Sequence, residues 1–108
     1  MFVVHNDDGY SSPVPGIEMK TLSHGEKTLL TRFKLSKGAE LPIHSHPHEQ
    51  TGYLVSGRIV LHIEGQAHEA GPGDSWTIKG NVPHRAEILE DSVAVEVFSP
   101  VREDYLNP

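Results

Sequence analysis

Apolar residues recur at every second position in short runs along this chain, and no helical period is sustained anywhere in it. Ile17, Met19 and Thr21 alternate with Glu18 and Lys20, which predicts a half-buried strand. A second run, Thr28 to Leu35, ends with Phe33 and Leu35 two apart, and Lys37-Gly38 turns the chain. Gln50–Val55 and Arg58–Glu64 are joined by Ser56-Gly57, and the second sets Ile59, Leu61 and Ile63 on one face. Gly65-Gln66 suits a two-residue hairpin loop before a short return strand, Ala67–Ala70. Beyond the turn Gly71-Pro72-Gly73-Asp74, Ser75–Ile78 puts Trp76 and Ile78 together. His84–Leu89 and Ser92–Phe98 are the last strands, split by Glu90-Asp91. Asp-Asp-Gly, Ser-Ser-Pro and Pro-Gly within Asn6–Gly16 predict an arm or loop, and Pro100 closes the pattern ahead of a charged tail. Eight or nine short strands with Gly/Pro turns predict an all-β sandwich or barrel. No linker or repeat divides it, so residues 1–108 form one domain with an N-terminal arm (1–16) and a C-terminal tail (99–108).

Composition narrows the function classes. A chain of 108 residues, 36% hydrophobic, builds one modest core, and oligomerisation is a natural aid to it. The net charge of −6 argues against nucleic acid or an anionic membrane surface as partner. No apolar run is long enough to span a bilayer, and the start, Met1 to Asp8, lacks the basic region of a signal peptide. With no cysteine, disulfides and thiolate metal ligands are excluded. A cytoplasmic location is the default expectation.

Candidate chemistry concentrates in Leu41 to Gln50. Two imidazoles two residues apart on an extended chain, His44 and His46, point to one side, and a third ligand can join them once Pro47 has turned the chain. A polar histidine-rich loop would share the His-x-His pair, but the frame around it is more specific. Gly38 is followed by five residues, His44-x-His46, three residues, Gln50, six residues and Gly57. Downstream, Gly73 stands eleven positions before His84, with Lys79, Asn81 and Ile88 at intermediate and following positions.

These two stretches resemble the two motifs of the cupin family. The first has Glu where Gln50 stands; the second has Pro, Gly and Asn where Lys79, Asn81 and Ile88 stand. The resemblance implies a double-stranded β-helix, the jelly-roll barrel, holding one divalent transition metal (Zn, Ni, Mn or Fe) on His44, His46, Gln50 and His84. Glu49 would face the other side of its strand from Gln50. Three imidazoles and an amide leave the cation's charge uncompensated, so binding should be weaker than at a carboxylate site and polarisation of a bound oxygen stronger. Of the other histidines, His62 is out of phase with its apolar neighbours and should point outward. His5, His24 and His68 read as solvated, and His48 as a rim residue or a neighbour of the ligands.

In the last strand Val93, Val95 and Val97 share one face and Ala94, Glu96 and Phe98 the other. Alternation alone allows either face to be the inner one. If Glu96 points inward it is a candidate acid/base, and the valines need covering, most simply by a second subunit in a homodimer. Gln50 and the ending Phe-Ser-Pro-x-Arg-Glu-Asp-Tyr-Leu resemble a subgroup of small cupins of pectin and alginate degradation. That resemblance implies ketonisation of 4,5-unsaturated monouronates to linear 5-keto sugar acids. It assigns active-site roles to Glu96 (Asp in the subgroup), Phe98 and Arg102, whose guanidinium fork suits a substrate carboxylate. An iron-dependent dioxygenase and a non-catalytic module that binds a small ligand or metal are the alternative readings.

Overall fold

The computed structural model describes residues 1–106. Among them are ten strands: β1 (Ser11–Val14), β2 (Ile17–His24), β3 (Leu29–Leu35), β4 (Glu40–His44), β5 (Glu49–Ser56), β6 (Ile59–Ile63), β7 (Gln66–Ala70), β8 (Ser75–Ile78), β9 (His84–Ile88) and β10 (Ser92–Ser99). A short 3-10 turn, Glu103–Tyr105, follows. The strands form a six-stranded sheet, ordered β1-β2-β3-β10-β5-β8, and a four-stranded sheet, ordered β4-β9-β6-β7. All pairings are antiparallel. This is the expected two-sheet jelly roll.

Period-two alternation puts the core between the sheets. On β3 every second residue from Leu29 to Leu35 is buried; on β5 the buried set is Gln50, Gly52 and Leu54. Fully burying Leu54, Ile17 or Ile59 is worth roughly 1.5–3 kcal/mol each. The two faces of β10 separate in the same way. Ala94 and Phe98 are buried and Glu96 is turned to the same side, whereas Val93, Val95 and Val97 are half-buried on the outer face. Tyr53 and Val55 of the neighbouring strand are exposed beside them.

Three boundaries differ from the sequence pattern. Ser11–Val14, expected within an arm, is a strand paired with β2. Its Pro13 is tolerated because β1 lies at the sheet edge, where a missing N–H breaks no ladder. The β6–β7 hairpin turns on Glu64 and Gly65, both with positive φ (51° and 80°), one residue earlier than Gly65-Gln66. The C-terminal segment is folded rather than a free tail. Thr21 Oγ1 donates to the Tyr105 carbonyl (2.7 Å), and the Tyr105 ring packs edge-on to Phe98 at 5.4 Å between centroids. The last two residues of that expected tail, Asn107 and Pro108, lie outside the described residues.

Candidate metal centre

The site forms where the two sheets meet at one mouth of the barrel. His44 ends β4 and lies directly opposite His84, the first residue of β9, with ring centroids 4.1 Å apart. His46 follows in the β4–β5 connection, 5.1 Å from His84 and 5.7 Å from His44 between centroids. Ligand atoms of the three rings all lie within 4.8 Å of one another. Asn81, at the motif's glycine position, adopts the left-handed φ of 67° that asparagine tolerates better than most residues. Its N–H donates to the His46 carbonyl (2.7 Å), tying the β8–β9 loop to the histidine segment.

Each ring is oriented by its own backbone. Nδ1 of His44 meets the Pro42 carbonyl (2.9 Å), Nδ1 of His46 the His48 carbonyl (2.9 Å), and Nδ1 of His84 the Val82 carbonyl (2.8 Å). A carbonyl can only accept, so Nδ1 carries the proton in all three, and each neutral ring presents the Nε2 lone pair. Burial lowers the pKa of His46, and it lowers that of His84 to about 4, so both are neutral at neutral pH. Among the described residues the Nε2 of His84 is buried without a partner. The Nε2 of His46 faces Gln50 Oε1 at 2.8 Å. Gln50 Nε2 is meanwhile committed as a donor to Glu96 Oε1 (2.7 Å), which fixes the amide's orientation. Two acceptors thus point at each other, an arrangement that a shared cation relieves. His44, His46, Gln50 and His84 therefore fit a divalent ion bound by nitrogen and oxygen. Glu49 is exposed and takes no part.

Glu96 adjoins this cluster. Its Oε1 accepts from Gln50 and from Trp76 Nε1 (2.9 Å), and burial raises its pKa. A cavity of about 190 Å³ opens beside it, lined by His44, Gln50, Glu96, Phe98, Arg102 and Tyr105 among others. Arg102 lies over the Tyr105 ring (3.9 Å) and the Phe98 ring (5.0 Å), and its side chain is only 13% exposed. Its Nε and Nη2 donate to the two oxygens of Asp104 (3.2 and 2.7 Å), and among the described residues the edge that carries Nη1 is uncommitted. Arg102 is thus paired with Asp104 and also lines the cavity beside Glu96. Burial acts to raise the Asp104 pKa, but the hydrogen bonds and charge of Arg102 outweigh it, and the group is lowered.

The remaining histidines fall as the pattern predicts. His5, His24 and His68 are exposed, and His62 points outward to Glu87 Oε2 at 2.7 Å. His48 contributes its carbonyl to His46, while its ring lies 5.7 Å from that of His46. Sequence reasoning missed Trp76 and Tyr105 as members of the site's surroundings. The available signals were a glycine, Gly52, inside a strand pattern and an aromatic residue within the charged ending.

The family described as cupin domain matches residues 31–100. The chain belongs to the cupin family. This cupin is 31% identical over 93 residues to the "Pectin degradation protein KdgF" of Dickeya dadantii (strain 3937), covering 84% of each chain. Among solved structures it resembles KdgF from Halomonas sp., with a TM-score of 0.89 and 31% identity over 96% of each chain. It also resembles an RmlC-like cupin from Shewanella frigidimarina NCIMB 400, with a TM-score of 0.85 and 27% identity over 90% of this chain and 87% of that one. No helix among the described residues is long and apolar enough to cross a membrane.

Proposed function

We propose that this cupin is a metal-dependent enzyme that ketonises 4,5-unsaturated monouronates to linear 5-keto sugar acids. The observation that carries the reading is the cavity uniting His44 and Gln50 with a half-buried carboxylate, Glu96, and a guanidinium, Arg102. At about 190 Å³ it is smaller than the roughly 300–1,000 Å³ of sites for drug-sized ligands, which suits a single sugar acid. The similarity to a protein named for pectin degradation supports the same substrate class.

His44, His46, Gln50 and His84 would hold the cation, which when bound supplies Lewis-acid stabilisation of negative charge on a substrate oxygen. Arg102 offers the edge left free by Asp104 to the uronate carboxylate. Phe98 gives the sugar an apolar floor. The reaction is an isomerisation and needs no second reactant. The hydroxyl proton on C1 is removed, the bond from C1 to the ring oxygen breaks and that oxygen takes up a proton, giving an aldehyde and an enol. The enol then loses its hydroxyl proton and gains one at C4, leaving the ketone at C5. Glu96 is the proton carrier: burial raises its pKa, which favours a carboxyl group that can give as well as take. The outward Val93, Val95 and Val97 support a homodimer in which a second subunit covers them.

The test is loss of the ultraviolet absorbance of the 4,5 double bond on adding metal-loaded protein. Glu96→Gln should abolish the rate with metal content unchanged, and Arg102→Ala should act mainly on KM. Wild-type protein that fails to exceed the spontaneous rate with any of several divalent metals would sink the assignment. Oxygen consumption with small organic acids would favour an iron-dependent dioxygenase instead.

A further inference from the structure

Trp76 has no part in the chemistry just set out, and it is the only tryptophan in the chain. Its place in the sheet is particular. Glu96, Gly52 and Trp76 lie side by side across β10, β5 and β8. Any side chain on the middle strand would separate the outer two. Gly52 has none, and a Cβ built there would overlap the Trp76 indole. The indole therefore occupies the space that Gly52 leaves, and from there Nε1–H reaches Glu96 Oε1 at 2.9 Å. The Gln50 amide donates to the same oxygen at 2.7 Å. Among the described residues no hydrogen bond reaches Oε2. Turning the carboxylate would break two hydrogen bonds to a charged acceptor, which are the stronger kind.

We propose that Trp76 is a positioning residue that reaches across Gly52 to fix Oε1 of Glu96, so that Oε2 is the oxygen exchanging protons with the substrate. The inference rests on the proton-carrying role given to Glu96 above. Trp76 also lines the inner cavity of about 40 Å³ that Gln50, His84 and Glu96 share.

Two measurements on zinc-loaded protein test it. As the sole tryptophan, Trp76 gives one indole N–H signal in a proton–nitrogen correlation spectrum. That signal should exchange slowly with solvent and shift in Glu96→Gln. In Trp76→Phe, metal content should be unchanged and KM should stay within about twofold, while kcat falls about tenfold or more, the scale of one hydrogen bond to a charged group. Gly52→Ala keeps the indole but displaces it, and should reproduce the loss of kcat. If Trp76→Phe does not fold, Gly52→Ala and the indole signal decide the matter. A Trp76→Phe enzyme with wild-type kcat, or an indole signal indifferent to Glu96→Gln, overturns the inference. If wild-type protein ketonises nothing, the proposed function fails by itself, and the indole signal alone judges whether Trp76 holds Glu96.

Discussion

Replacing Gln50 by glutamate would restore the residue common in the family's first motif, and in this chain it should destabilise the metal-free protein. Gln50 Nε2 now donates to Glu96 Oε1 across 2.7 Å. In Gln50→Glu that hydrogen bond, worth about 1.5–3 kcal/mol to a charged acceptor, is gone. Two carboxylates then face each other, and like charges near 4 Å repel by about 4 kcal/mol at an effective dielectric constant of about 20. Proton uptake by one of them limits the damage. At pH 7 that uptake costs about 3.7 kcal/mol for a group whose unperturbed pKa is about 4.3. The lost hydrogen bond and the cheaper of the two charge costs together come to about 5 kcal/mol or more, which lowers the Tm of a domain this size by about 20 °C or more. A bound divalent cation compensates the added charge, so the deficit should shrink sharply when metal is supplied. Circular-dichroism melts of both proteins, in chelator and in excess zinc, measure the difference. If Gln50→Glu melts with the wild type in chelator, the contact between positions 50 and 96 is not as described.

Three further outcomes are expected. His46→Ala and His84→Ala should lose the metal by elemental analysis, and full occupancy in His46→Ala would rule out the site as drawn. Val95→Lys should yield monomer or aggregate in analytical ultracentrifugation, because each covered valine contributes roughly 1.5 kcal/mol or more; a monomeric wild type at micromolar concentration would remove the homodimer. Asp104→Ala frees the Nε edge of Arg102 and should raise KM about two- to fivefold, the scale of a partly exposed ion pair, with kcat nearly unchanged.

Much of this architecture is legible in the sequence, for physical reasons. The histidine cluster is readable because His44 and His46 sit in one short segment and His84 begins a strand of clear alternation. The orientation of β10 is not readable from alternation alone, since both of its faces look apolar; Glu96 is placed inward beside its row-mate Gly52 and the side chain of Gln50, which belong to another strand. β1 is hidden because Pro13 and two serines signal a turn, and only an edge position makes them compatible with pairing. The role of Trp76 is invisible for a related reason. Its partner is reached across a third strand, through the absence of a side chain, and no local pattern records that.

The candidate ligands do not belong to one layer. His44 and His84 are on the four-stranded sheet, Gln50 is on the six-stranded sheet, and His46 lies in the connection between them. A cation held by all four would act as a clasp across the barrel mouth. Clasped and unclasped molecules would then meet different fates in a cell. At a free metal concentration a hundred times the Kd, the opened population falls about a hundredfold, and with it the supply of chain that a protease can cut. The amount of this protein would follow metal supply through its rate of degradation, before any substrate is met, and digestion rates with and without chelator would reveal it.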